Sequence, residues 1–336
     1  MAKQSELAKA EALISKRPTI DLAKLIEKAR SYYGDKEQSL ALQISTGNSI
    51  SRPNKDDDFV CWKGGHWETL TGVRGIPFGR VVQIAGRPDS GKSSHAMAFM
   101  KAAQDQNVLV ILWDAENKFS ATRFDKFFGG NSANLAITTS KMILEGGDNV
   151  EKTIHAAKEQ DPNCKILIVW DSVGGTLAAN EEENSMKDSK QMAAASKENG
   201  TVLRGWIRLM EKYKNKETNE ENIAILLINQ VYANIGSHGQ KESGGQKVEF
   251  YSSIILQTTR KEDVCRIKNG VKIKTGIVSR VKVKKNHLFD GEFSIAEMDV
   301  VISAGSIDLL SKKKIKKKVE AGYGDDNGEI EEDVEE

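Results

Sequence analysis

The segment that most restricts how this chain can fold is Gly86-Arg87-Pro88-Asp89-Ser90-Gly91-Lys92-Ser93, which fits GxxxxGK[ST] without a mismatch. The apolar run Val81–Ala85 enters it, and an apolar-patterned helix leaves it over 92–104. The glycines let the backbone curl with its N–H groups turned inward, which makes a concave anion site. The helix that follows adds partial positive charge at its N-terminus. Lys92 is then expected to reach the β- and γ-phosphates of a nucleotide, and the Ser93 hydroxyl to ligate Mg²⁺. The expected nucleotide-binding set is Gly86, Arg87, Pro88, Asp89, Ser90, Gly91, Lys92, Ser93 and Ser94.

The surrounding pattern predicts an α/β fold. Strand candidates at Val81–Ala85, Val108–Trp113, Leu135–Thr138, Ile166–Trp170 and Ile223–Ile228 alternate with helix candidates at 92–104, 119–128, 149–159 and about 186–213. Uncharged strand runs between helices indicate a mostly parallel sheet covered on both faces. Such sheets bind ligands at the carboxyl ends of their strands. Asp171 ends one run, which suits it to the Mg²⁺ shell, although a carboxylate there also suits a helix cap. Another run leads into Asp114-Ala115-Glu116, where Glu116 is the better placed to orient or deprotonate water and Asp114 is equally suited to a structural cap. A third ends in Asn229-Gln230, and Gln230 there could sense a γ-phosphate.

From residue 250 the rhythm changes to strands. Asn269-Gly270 is a hairpin signal, and Val281 and Val283 alternate with Lys282 and Lys284. Residues 5–33 read as helix interrupted at Pro18, and 46–80 as irregular structure. The irregular stretch includes Cys61-Trp62-Lys63-Gly64-Gly65-His66-Trp67. Aromatics beside a lysine can stack on single-stranded bases, but an insertion hairpin with its own small hydrophobic contact fits better. His95 and His155 fall on helices and read as structural.

Composition removes other classes. With 336 residues, 39% of them hydrophobic, the chain can bury a large core, which excludes wholesale disorder. No apolar run approaches the roughly 18 residues of a membrane span, so no membrane partner is expected. The polar, charged start is neither a secretory signal nor a transit peptide. Cys61, Cys164 and Cys265 are far apart and give neither a disulfide framework nor zinc spacing. The net charge of +1 hides an asymmetry: residues 325–336 carry eight carboxylates and no base, so the remainder carries +9. A basic body with an acidic tail points to a polyanionic ligand and a competing tail. Glu242-Ser243-Gly244-Gly245-Gln246 is similar to the signature loop of ABC transporters, but its distance from Asp171 and the Ser at 172 argue against that family.

Taken in order, the motifs resemble the RecA family of DNA strand-exchange recombinases, over about residues 19–323. The resemblance rests on Ile-Ser-Thr-Gly at 44–47, Gly-Ile-Pro-Phe-Gly-Arg at 75–80, the phosphate loop, Asp-Ala-Glu at 114–116, Asp-Ser-Val at 171–173, Asn-Gln at 229–230, Gly-Gly at 244–245, Phe-Tyr-Ser-Ser at 250–253 and Arg-Val-Lys-Val-Lys-Lys-Asn at 280–286. It implies a RecA-like P-loop NTPase core with a mostly parallel sheet, C-terminal antiparallel strands and an N-terminal helical segment. The implied division is 1–45 for oligomerisation, 46–305 for the ATPase core, and 306–336 for a basic segment and an acidic disordered tail.

The same resemblance implies residue roles. Glu116 would activate water, Gln230 would couple the γ-phosphate to DNA loops, and Lys285 would reach the neighbouring protomer's γ-phosphate. Residues 182–197 match a first DNA-binding loop, with Met192 at a base-wedging position and Lys197 at a basic one. Arg204 matches a further DNA contact. Residues 231–245 match a second loop, with Ile235 as an intercalating side chain and Gly244 and Gly245 at its end. Ser120 and Arg123 stand where the family has an acidic and an aromatic adenine contact, so Arg123 joins the expected nucleotide set. His287 replaces a second trans lysine. The insertion around 52–70 has no counterpart, and most of the C-terminal domain is absent.

The implied function is a DNA-dependent ATPase with Mg²⁺. It would form a helical homo-oligomer on single-stranded DNA and pair it with homologous duplex in recombination and repair, in the cytoplasm of a bacterial or phage-infected cell. The alternatives are a hexameric RecA-fold helicase, a ring ATPase acting on protein, and a mediator that hydrolyses poorly. Lys284, Lys285 and His287, in place of a late arginine finger, favour the filament.

Overall fold

The computed structural model describes residues 53–310 except 54, 63–65, 180–188, 216, 217, 219, 234–239 and 289–296. The expected helix over 5–33, the 44–47 motif, Ile235, the lysines of 312–318 and the acidic tail lie outside the described residues, as does the side chain of Met192.

Two short strands come first, β1 (Phe59–Cys61) and β2 (Gly75–Pro77), with helix α1 (His66–Thr71) between them. Then follow β3 (Val81–Gly86), α2 (Lys92–Asp105), β4 (Leu109–Asp114), α3 (Ala121–Phe127), β5 (Leu135–Thr138), α4 (Ile143–Gln160), β6 (Ile166–Asp171) and α5 (Ser189–Lys212). The last part holds β7 (Ile223–Ala233), β8 (Gln240–Glu242), α6 (Gln246–Tyr251), β9 (Ser252–Lys268), β10 (Val271–Asn286), β11 (Glu297–Ser303) and β12 (Ile307–Leu309).

The strands from β3 onward join in one sheet in the order β12-β11-β10-β9-β3-β7-β6-β4-β5, with β8 against β7. From β9 to β5 all pairs are parallel, and from β9 to β12 all are antiparallel. This is the expected α/β core. The chain passes from β3 to β4 over the positions of β7 and β6, so the ends of those two strands fill the gap between the phosphate loop and Glu116.

Alternate side chains of the apolar runs enter two separate cores. Val82, Ile84, Val110, Leu112, Leu167, Val169, Leu226 and Ile228 face α1 and α2. Val81, Ile111, Trp113, Ile168, Trp170, Ile225 and Leu227 face α4 and α5. Both faces are dry, which is why the strands read as continuous apolar runs. Trp113 and Trp170 stack with centroids 4.2 Å apart, and Trp206 meets both edge-on.

Two local expectations change. Helix α4 begins at Ile143, six residues before the expected start, because Gly146-Gly147 does not break it. A Cβ on Gly146 would lie 2.0 Å from Trp113, and one on Gly147 2.6 Å from Val202. Close packing against the tryptophan layer thus overrides the poor helix propensity of glycine.

The stretch read as irregular over 46–80 contains β1, α1 and β2, with Phe59 opposite Pro77. The aromatic cluster within it packs inward: His66 and Trp67 are fully buried, and Trp62 and Trp67 meet Phe99 of α2 edge-on. This favours the hydrophobic-contact reading over base stacking. His95 Nδ1 lies 2.9 Å from the Gly91 carbonyl, which can only accept, so Nδ1 carries the proton. His95 Nε2 must then accept from His66 Nε2 at 3.1 Å. Burial holds both rings neutral, pulling His66 down to about 3, with His95 adding to the effect, and His95 down to about 4. The insertion is thereby tied to the first turn of the phosphate helix.

Among the described residues, no helix is long and apolar enough to cross a membrane.

Candidate nucleotide site

The parallel register brings the polar strand ends level with one another. Gly86 stands beside Gln230, Asp171 beside Ile228, and Asp114 beside Asp171. They border a cleft of about 290 Å³ lined by Pro88, Asp89, Lys92, Ser93, Glu116, Asp171, Ser172 and Gln230 among others.

The loop is built to hold its shape. Gly91 sits at φ 95°, a left-handed conformation that glycine adopts without a Cβ clash, and a Cβ there would lie 2.1 Å from Ile302 Cδ1. The 14-residue helix α2 starts at the next residue, so its unpaired N–H groups face the cleft. Ser90 turns inward: its hydroxyl donates to Arg87 O at 2.7 Å and pairs with Thr258 Oγ1 at 2.7 Å, while Ser279 Oγ donates to Ser90 O at 2.8 Å. Its side chain anchors the loop to β9 and its carbonyl anchors it to β10, leaving its backbone N–H for a ligand.

Lys92 Nζ folds across the loop to Arg87 O at 2.8 Å. Burial lowers its pKa, opposed by the carboxylates of Asp171, Glu116 and Asp89. Burial also pushes Asp171 up to about 6; Glu116 and Asp114 add to the rise, and a hydrogen bond from Ser93 and the charge of Lys92 oppose it. Ser93 and Asp171 therefore meet as two hard oxygens in the lining of the cleft, a donor set that fits Mg²⁺ sharing its shell with phosphate and water.

Glu116 is held on both oxygens. Oε1 accepts from Ser172 Oγ and from Gln230 Nε2 at 2.7 Å, and Oε2 meets Lys118 Nζ at 2.5 Å. Burial alone would raise its pKa, but these three donors outweigh it and hold the carboxyl below the usual range. Gly175 leaves the room, since a Cβ there would lie 2.6 Å from Glu116 Cγ. Ser172, Gly175 and Lys118 are site residues that the sequence reading missed. Only their closeness to Asp171 and Glu116 in the chain hinted at them.

Asp114 is a structural cap, which decides the alternative left open above. It is buried, and its two oxygens accept from Lys118 N at 3.0 Å and Phe119 N at 2.8 Å. We expect Asp114→Ala to leave two backbone donors unsatisfied and to lower unfolding stability by about 2–4 kcal/mol, read from urea denaturation. An unchanged midpoint would rule out that role.

Gln230 connects the cleft to the strand end beyond it. Tyr232 OH donates to Gln230 Oε1 at 3.2 Å, Ser243 N to Gln230 O at 2.9 Å, and Asn229 Nδ2 to Ser243 O at 2.8 Å. Gly244 and Gly245 follow with φ of 80° and 83°, and Asn199 Nδ2 of α5 reaches Gly244 O at 3.4 Å. Lys197 and Arg204 lie exposed on α5.

The side chains of three expected site residues, Arg123, Ser94 and Lys285, do not join the cleft. Arg123 is tied down, with Nη2 donating to Ser94 Oγ at 2.8 Å, Nε to Ala304 O at 3.1 Å, and its guanidinium over the Phe128 ring. Ser94 is buried by the same contact. Lys285 pairs with Ile255, which stands level with Gln83, and its Nζ donates to Glu249 O at 2.8 Å. It is therefore two strands away from its own phosphate loop and below it.

Comparison with known proteins gives a consistent result. A family model described as the RecA N-terminal domain matches residues 61–307. The protein named RecA from Cytophaga hutchinsonii is 30% identical over 241 residues, covering 70% of this chain and 61% of that protein. RecA of Ureaplasma parvum is 30% identical over 229 residues, covering 66% and 62%. RecA of Macrococcus caseolyticus is 28% identical over 273 residues, covering 78% and 71%. The chain thus matches about three fifths of the length of the first two of these relatives.

Proposed function

The chain belongs to the RecA family, and from that membership we propose that it is an ATP-dependent DNA recombinase of the bacterial or phage-infected cell. It would form a filament on single-stranded DNA, pair it with homologous duplex and hydrolyse ATP when DNA is bound. We divide the chain for this purpose into an oligomerisation segment over 1–45, the ATPase core over 46–305, and a basic segment with an acidic tail over 306–336.

The observation that carries the reading is the hydrogen-bonded path from Glu116 through Gln230 to Tyr232 and Ser243. It links the residue that would act on water with the strand ends that lead into 234–239. Lys92 and the α2 N-terminus would bind the phosphates. Ser93 and Asp171 would hold Mg²⁺, which supplies neutralisation of charge on the transferred phosphoryl group. Glu116, ionised at neutral pH, would orient water in line and take up its proton. The Gln230 amide donates to Glu116 Oε1 and, over a longer distance, to Ser172 Oγ, and a γ-phosphate in the cleft would draw one of these two N–H donors to itself. Arg123 would border the base end of the site, and Lys285 would act on a neighbouring protomer. Lys197, Arg204, Met192, Ile235, Gly244 and Gly245 would form the DNA surface.

Electron microscopy of the protein with ATP and single-stranded DNA tests the assembly. The proposal expects helical filaments that require both ligands; closed rings would instead favour a hexameric helicase or ring ATPase.

A further inference from the structure

Among the described residues of the cleft lining, Lys92 and Lys118 are the only cations. They are placed very differently. Lys92 belongs to α2 and is buried, with Nζ on the Arg87 carbonyl. Lys118 stands in the turn after β4, and its side chain is 76% exposed. The main chain at that turn is fixed: the Lys118 N–H donates to Asp114 Oδ1 at 3.0 Å and the Phe119 N–H to Asp114 Oδ2 at 2.8 Å. Asn117 before it turns the chain at φ 54°, and Phe119 after it packs on the core beneath α2. The Lys118 ammonium is therefore carried on a long flexible stem from a rigid base, on the solvent side of the cleft.

Its partner is Glu116, whose two oxygens are held in different ways. Oε1 accepts from Ser172 Oγ and Gln230 Nε2, both placed by the ends of β6 and β7. Among the described residues, Oε2 has only Lys118 Nζ, at 2.5 Å. An ion pair with so exposed a lysine adds little to folding stability. Its effect is local: it occupies the one carboxylate oxygen that no fixed donor holds, and so stands between Glu116 and water.

We propose that Lys118 is a mobile contact for the terminal phosphate of a nucleoside triphosphate, and that it leaves Glu116 Oε2 for that phosphate when the triphosphate enters the cleft. The inference rests on the ATPase reading given above. A terminal phosphate offers about two charges on three acceptor oxygens, whereas the Glu116 carboxylate has one charge that Ser172 and Gln230 already share. The ammonium gains by the exchange. Glu116 raises the pKa of Lys118, and Asp171 and Asp89 add to the rise, so the group stays charged and is still drawn to the cleft after it lets go of Glu116. Oε1 remains tied, which keeps the carboxylate oriented, while Oε2 opens to accept a proton from water. A diphosphate lacks the group that draws Lys118 away, so the ion pair would stay closed on it.

The test compares wild type with Lys118→Met, which keeps a long unbranched stem and removes the charge. The full chain with Mg²⁺ is titrated calorimetrically with a non-hydrolysable ATP analogue and with ADP. Affinity for the analogue should fall about 5- to 30-fold, the effect of one hydrogen bond from a charged donor, while affinity for ADP stays within about two-fold. Equal losses for the two nucleotides would mark a general effect on the cleft and overturn the terminal-phosphate contact. Unchanged or tighter binding of the analogue by the variant would overturn it as well, and would leave the ATPase reading in place. A wild-type protein that binds neither nucleotide would overturn the phosphate site and this inference with it.

Discussion

Lys92→Ala should lose nucleotide binding by about 2–5 kcal/mol, the usual effect of truncating one partner of a desolvated charge pair, or roughly 30-fold to several thousand-fold in affinity. The cleft explains the size. Asp89, Glu116 and Asp171 all act on the Lys92 ammonium, which is only 9% exposed. Without it, Asp89 and Asp171 would face a polyphosphate with no buried ammonium beside them, and Lys118, which is engaged with Glu116, would be the nearest remaining lysine of the cleft lining. The fold should survive, because among the described residues the only hydrogen bond made by Nζ is to the Arg87 carbonyl, which also accepts from Ser90 Oγ. Calorimetric titration with a non-hydrolysable ATP analogue measures the loss, and a thermal melt without nucleotide controls for folding. Normal affinity in a folded variant would remove the phosphate site from the account.

Glu116→Gln should separate binding from turnover. The amide has the same shape, and its oxygen can still accept from Ser172 and Gln230. Its nitrogen cannot face the Lys118 ammonium, but that side chain is 76% exposed and can turn into water. Nucleotide affinity should therefore stay within a few-fold of wild type. Turnover should fall about 10²–10⁴-fold, because an amide cannot take up a proton from water. If hydrolysis releases DNA, the variant should remain on single-stranded DNA long after wild type has left. Single-turnover hydrolysis and competitor-chase dissociation measure the two effects. Prompt release of DNA by this variant in ATP would show that Glu116 has another role.

The parts of the site that lie close in the chain were legible in the sequence. Residues 86–93 must curl as they do because a strand, two glycines and a helix start leave little choice. Asp171 was legible as a carboxylate at the end of an apolar run. The contact of Gln230 with Glu116 was not, since 114 residues separate them and only the register of β4, β6 and β7 places them together. The role of Asp114 depends on two loop N–H groups that carry no sequence signal. The elements over 59–77 were missed because they are too short for periodicity, and their burial comes from α2. Gly146-Gly147 misled for a related reason: a tryptophan layer, not helix propensity, decides that turn. Asn269-Gly270 announced the hairpin, but not that its tip outruns both neighbouring strands.

The central claim is that the cleft is an ATPase completed by DNA through Gln230 and the strand ends beyond it. ATP hydrolysis with and without single-stranded DNA, at low salt with Mg²⁺, tests it most directly. Strong stimulation by DNA, lost in Glu116→Gln, is expected. Hydrolysis at the same rate with and without DNA would contradict the coupling and leave an ATPase directed at something else.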